Sequence, residues 1–180
     1  MPMPKNKNEL PSLDLLNSLF TYDPDTGLLK NRISRGRAKA GEIAGRVNKN
    51  GYLQVRINYV AFYTSRIVWK MATGVDPLDK EIDHINGNRQ DNRIKNLRVA
   101  SRAENLANKP KYSGDFSLPK GVYRSATKNK YCACIKVNGK TRYLGTFSSP
   151  ELAGKAFEDA SREIFKEYTN TRISVVQGCT

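Results

Sequence analysis

The chain has 180 residues, enough for one ordinary domain or two or three small ones. Lysine and arginine number 31 against 17 acidic residues, a net charge of +14 with a pI near 9.8, and this excess predicts a polyanionic partner, most commonly nucleic acid. No apolar run approaches the ~20 residues of a membrane-spanning helix, and no signal-peptide pattern opens the chain. Three cysteines (Cys132, Cys134 and Cys179) and one histidine make neither a disulfide framework nor a four-ligand zinc set, which fits a reducing cytoplasm.

Residues 1–9 are polar and expected to be disordered. Leu13, Leu16, Leu19 and Phe20 recur at helical spacing and predict a short helix within Leu10 to Phe20. Tyr22-Asp23-Pro24-Asp25-Thr26-Gly27 is a turn. Leu28 to Ile33, Glu42 to Val47, Tyr52 to Asn58 and Val60 to Thr64 are strand-like, punctuated by glycine or asparagine. Leu53, Val55 and Ile57 alternate with Gln54, Arg56 and Asn58, a half-buried strand with a basic outer face. Ser65 to Thr73 predicts a helix turning Ile67, Val68 and Met71 inward, with Trp69 as a core anchor.

Residues 81–109, EIDHINGNRQDNRIKNLRVASRAENLANK, break this apolar rhythm. They hold the lone histidine, His84, directly after Asp83, then Asn86, Asn88, Asn92, Asn96, Asn105 and Asn108. Core packing does not account for so many amides. Asp83 and His84 put a hard oxygen ligand and a titratable base side by side. On a strand over 81–86 their side chains diverge to opposite faces. Asn96 to Ala100 alternates polar and apolar and reads as a second strand. Ser101-Arg102-Ala103-Glu104 is a capping box, so a helix is expected from about Arg102 to Lys109, stopped by Pro110, with Asn105 in its second turn.

Strand, loop, strand and helix, with DHINGN, DNR, NLR and EN in order, resembles the HNH nuclease motif, the β-β-α-metal fold, and within it the phage and intron-encoded homing endonucleases. That resemblance implies His84 as general base, Asp83 and Asn105 as ligands of one Mg²⁺ or Mn²⁺ per active site, and Asn96 orienting His84 or the phosphate. The YD-x-x-TG-x-L and GY-x-x-V elements upstream resemble the β-rich region preceding such motifs. Ser65 stands where that family often has histidine, and the paired Cys-x-x-Cys supports of some HNH proteins are absent, so neighbouring protein is expected to hold the nuclease core.

Lys109 to Lys120, with Pro110, Gly114 and Pro119, reads as a linker. Val122 to Ser125, Tyr131 to Val137 and Arg142 to Phe147 are strand candidates, the last two joined by an Asn138-Gly139 turn. Pro150 to Tyr168 is an amphipathic helix with Leu152, Ala153, Ala156, Phe157, Ala160 and Ile164 on one face. The motifs GVYR, YCACIKV, YLGTF and ELA…AFEDA resemble the ethylene-response-factor (APETALA) type DNA-binding domain, whose sheet lies in the major groove. Tyr123, Arg124, Lys136, Thr141, Arg142 and Tyr143 are the candidate reading surface.

The expected class is therefore α+β: a β-rich N-terminal region leading into a β-β-α-metal core, then a three-stranded antiparallel sheet packed on one helix. The expected divisions are a tail and short helix at 1–20, a nuclease domain at 21–109 (β-rich region 21–75, metal motif 81–109), a linker at 110–120, a DNA-binding domain at 121–170 and a tail at 171–180. The function expected is a DNA endonuclease that, as a monomer with one metal site, nicks one strand. It acts on double-stranded DNA as a monomer, with no membrane and no small-molecule cofactor, in the cytoplasm of a phage-infected host. Two other classes fit the charge: a DNA-binding regulator with a decayed nuclease motif, and a general RNA- or ribosome-binding protein.

Overall fold

Ser12 caps the first helix, α1 (Leu13–Leu19), through its side-chain oxygen, and Leu16 and Leu19 turn inward from it. The computed structural model describes residues 9–109, 111 and 114–168. Residues 1–8 of the expected disordered start at 1–9, the whole expected tail at 171–180, the helix stop at Pro110 and part of the expected linker lie outside the described residues. Strand and helix mix in small antiparallel sheets, the α+β class. By packing the chain divides into two units, residues 1–101 and 102–180, so that the helix after the metal motif falls in the second. The sequence had set its boundary later, at a linker over 110–120.

In the first unit β1 (Phe20–Tyr22) pairs with β2 (Leu29–Asn31). The turn between them is knotted by Asp23, whose carboxylate accepts from the Asp25 amide at 3.0 Å and the Thr26 hydroxyl at 2.6 Å. A three-stranded meander follows: β3 (Arg46–Val47), β4 (Leu53–Ile57) and β5 (Val60–Tyr63). The strand expected from Glu42 shortens to two residues, with Ile43 making only an isolated bridge to Lys30. Helix α2 (Thr64–Thr73) ends at Gly74 in the left-handed conformation and buries Ile67 and Val68. β6 (Glu81–His84) and β7 (Leu97–Ala100) form an antiparallel pair.

One core joins these pieces. Ile82 of β6 and Leu97 of β7 pack in the same buried cluster as Leu16, Phe20, Leu29, Val55, Ile67 and Val68, with Trp69 partly buried against it. The hairpin is seated on the β-rich region by these two residues, with Val99 partly buried against the same cluster.

The second unit begins with α3 (Arg102–Asn108). The Lys120 ammonium donates to the carbonyls of Leu106 (3.1 Å), Ala107 (2.8 Å) and Lys109 (2.5 Å), satisfying orphan acceptors at the end of that helix. Burial pushes Lys120 down to about 8. Strands β8 (Val122–Arg124), β9 (Tyr131–Val137) and β10 (Lys140–Phe147) form a sheet of order β10-β9-β8. Asn138 and Gly139 both have positive φ, which the tight β9–β10 turn requires. Helix α4 (Pro150–Phe165), capped by Ser149, continues as a 3₁₀ turn over Lys166–Tyr168.

Gly121 shows why the helix sits so close: a Cβ there would stand 2.8 Å from the Cys134 carbonyl and overlap the Phe157 ring. The buried face of α4 runs through Ala153, Gly154, Ser161 and Phe165. Leu152, expected on it, is 51% exposed. It lies in the first turn, one residue off the row that meets the sheet. Among the described residues no helix is long and apolar enough to cross a membrane.

Candidate active site

The loop between β6 and β7 is a lattice of amides. The Asn86 side chain donates to Asp91 at 2.7 Å and accepts from the Asn88 amide at 2.8 Å. Asn88 accepts from the Gln90 amide at 3.1 Å. Arg93 closes on the Asp91 carboxylate with Nε at 2.7 Å and Nη2 at 2.5 Å. The bond from Arg93, then the bonds from its amide and Asn86, hold Asp91 down to about 2. A short 3₁₀ turn over Ile94–Asn96 leads into β7.

Asn96, expected to orient His84 or the phosphate, spends its side chain on this lattice. Its Oδ1 accepts from the Asn86 amide at 2.9 Å, and its Nδ2 donates to Asn86 Oδ1 at 3.0 Å and the Asp91 carbonyl at 2.8 Å. The residue bonded to the imidazole is Asn92, whose Oδ1 lies 3.1 Å from His84 Nε2. Asn96 ends the 3₁₀ turn just before β7, while Asn92, four residues earlier in the loop, meets the ring.

Asn92 is almost fully buried, at 1% exposure. Its Nδ2 is turned to the Gln90 carbonyl at 3.5 Å, which leaves its oxygen for the ring. An amide oxygen only accepts, so Nε2 carries the proton and Nδ1 is the basic nitrogen of neutral His84. Burial lowers the His84 pKa below its usual value, against a smaller raising effect of the Asn92 bond. Behind Asn92 stands Tyr22: its hydroxyl donates to the Asn92 carbonyl at 3.1 Å and accepts from the Ile94 amide at 2.9 Å. The adjoining turn fits as closely, since a Cβ on Gly27 (φ +75°) would stand 2.8 Å from the Asn92 carbonyl carbon. The first hairpin is thus the wall against which the His84 partner is held. Sequence reasoning missed Asn92 because its spacing looked like that of its three neighbouring asparagines.

Asp83, one residue before, faces Arg98 across the β6–β7 register. Arg98 Nε and Nη2 reach Asp83 Oδ2 at 2.9 and 2.8 Å, in surroundings that leave the two side chains 13% and 5% exposed. Asn105 lies in the second turn of α3, in the second unit, and is buried. Among the described residues no three His, Cys, Asp or Glu side chains cluster as a metal site. The available donors are a carboxylate and amide oxygens, hard ligands of the kind Mg²⁺ and Mn²⁺ take.

In the second unit, Lys136 pairs with Thr141, Tyr143 with Cys134 and Tyr123 with Cys132, so these residues share one sheet face. Tyr123 and Tyr143 are 59% and 60% exposed there. Arg124 and Arg142 do not belong to it. Their cross-strand partners, Tyr131 and Ile135, pack towards the helix, and alternation puts both arginines on that side. Both are exposed only because they stand at strand edges and ends, and Arg124 lies 3.4 Å from Asp115. Beyond Tyr143 a bulge adds one residue before Gly145, which returns Thr146 to the tyrosine face beside Cys132. Cys132 and Cys134 are free thiols.

An aspartate–histidine pair ends one strand, and a structured loop, an antiparallel partner strand and a helix follow it along the chain. Residues 62–107 match the family model described as HNH endonuclease. Over 95 residues, 53% of this chain, the sequence is 33% identical to a protein of Acanthamoeba polyphaga mimivirus named as an uncharacterized HNH endonuclease. The match covers 48% of that protein, so the chain spans about half the length of the curated relative it matches. No solved structure matches.

Proposed function

We propose that the chain is a DNA endonuclease of the HNH homing type, hydrolysing phosphodiester bonds with a single divalent cation and nicking one strand as a monomer. The observation that supports this reading is His84 itself, a buried imidazole whose Nε2 lies 3.1 Å from the Asn92 amide oxygen, which leaves Nδ1 to serve as the proposed base. Nδ1 takes a proton from water as the oxygen attacks phosphorus, and the bond to the 3′ oxygen breaks. Asp83 and Asn105 would hold Mg²⁺ or Mn²⁺ through oxygen. When bound, such an ion neutralises charge on the phosphate and the departing oxygen. Because Arg98 already offsets the Asp83 charge, the scissile phosphate has to supply the remaining anionic ligand.

The second unit is proposed to grip duplex DNA in the manner of the domain it resembles, through the face bearing Tyr123, Lys136, Thr141 and Tyr143. Two modest binding units acting together gain ~10²–10⁴ in affinity where both engage. A phage gene acting in the host cytoplasm suits this reading, and the matched relative is viral.

Cleavage of supercoiled plasmid with Mg²⁺ and with EDTA, by wild type and His84→Ala, tests the proposal. Metal-dependent nicking lost in the variant, with DNA binding kept, supports it. The Arg98 pair on Asp83 favours one rival, a regulator whose motif has lost its metal; binding without cleavage at any Mg²⁺ or Mn²⁺ concentration would establish that reading instead.

A further inference from the structure

Arg89 belongs to the loop lattice by sequence but not by bonding. Its guanidinium leaves the loop and lies over the face of Tyr52, 5.0 Å from the ring centroid, while Nη1 donates to the Asn50 carbonyl at 2.6 Å. The same Tyr52 ring stands 5.9 Å from the His84 imidazole, tilted by 49°, and is braced from another direction by Tyr63 at 5.3 Å. One aromatic platform therefore sets both the base and a cation.

The two other arginines of the β6–β7 hairpin are spoken for: Arg93 is paired with Asp91 and Arg98 with Asp83. Arg89 pairs with no carboxylate among the described residues. Of five N–H donors it uses one, on a neutral carbonyl. Stacking and that single bond fix the plane of the fork, so little side-chain freedom remains to be lost when it meets a ligand. A rigid, uncompensated guanidinium is suited to a bidentate contact with a phosphate. Had Arg89 only to tie the loop to the Asn50 turn, a neutral donor would serve.

Resting on the nuclease reading above, we propose that Arg89, held on Tyr52, is a positioning residue that clamps a non-bridging oxygen of the DNA backbone beside His84. The experiment uses the full chain and a phosphorothioate-blocked duplex for binding, with the unmodified duplex for single-turnover cleavage in Mg²⁺. In Arg89→Gln the slope of log affinity against log salt should fall by about 0.9, the value of one phosphate contact, and cleavage should slow roughly 10²-fold. Arg89→Lys should keep the slope, because the charge remains, yet lose rate because the fork is gone. Tyr52→Phe should match wild type, and Tyr52→Leu should keep the slope, because the Arg89 charge remains, yet lose rate because the fork is no longer held. An unchanged salt slope in a folded Arg89→Gln overturns the proposal, as does a rate loss that only follows a lowered melting temperature. Should Arg89→Gln not fold, Arg89→Lys cutting at the wild-type rate overturns it. Failure of the nuclease reading shows separately, as wild type that binds without cutting, and the salt slope still reports on Arg89.

Discussion

Asn92 Oδ1 lies 3.1 Å from His84 Nε2, and because an amide oxygen only accepts, this contact places the ring proton on Nε2. Asn92→Leu should leave a folded protein that binds DNA but cuts roughly 10²–10⁴-fold more slowly, the range of a lost general base. Single-turnover rates at saturating protein check it.

Acidity should act through the same ring. Burial lowers the His84 pKa from 6.5, so the neutral form dominates at and above that pH and the cleavage rate should be flat there. The rate should fall only as pH drops below 6.5. In Asn92→Asp a carboxylate faces Nε2, favours the imidazolium and should move that fall upward by about 1–2 units. A pH–rate profile of the two proteins gives the comparison.

Tyr22 is far from any expected chemistry, yet its hydroxyl joins Asn92 and Ile94. Tyr22→Phe should cost about 1–3 kcal/mol by leaving both backbone groups short of a partner. It should also slow cleavage roughly tenfold or more, because the partner of His84 is loosened. Denaturant unfolding and single-turnover rates report the two effects independently.

Arg98→Met leaves the buried Asp83 carboxylate without its guanidinium. The metal-free protein should lose about 3–5 kcal/mol of stability. Mn²⁺ should then raise the melting temperature of the variant far more than that of wild type. Thermal melts with a Mn²⁺ titration and no DNA measure this directly.

Acid should undo the loop through Asp91. Its folded pKa is about 2 against 3.8, so the unfolded chain binds more protons between those values. Its contribution is complete above pH ~4 and is lost as pH falls towards ~2. The stability gap between wild type and Asp91→Asn should close across that window in chemical melts.

Hairpins and helices could be read from the chain because each has a simple period: Leu53, Val55 and Ile57 alternate, and Ile67 and Val68 lie on one helical face. The strand, loop, strand and helix that carry Asp83, His84 and Asn105 were legible in their order along the chain. The amide network was not. Asparagines donate and accept alike, so whether Asn92 or Asn96 meets His84 depends on the path of the loop, which no period encodes. That Arg124 and Arg142 lie on the other sheet face from Tyr123 and Tyr143 was hidden for a similar reason, since a face follows from strand register rather than from composition. Leu152 illustrates the limit of apolar patterning at a helix's first turn.

A loop meant to approach a polyanion could have been ordered with carboxylates as easily as with amides. Here neutral side chains do most of the fastening, and its one acidic residue, Asp91, is screened by Arg93. On the proposed function, an approaching DNA strand would meet little like-charge repulsion from the frame around the imidazole. Rigidity is obtained without the electrostatic toll that a wall of aspartates would levy on every encounter.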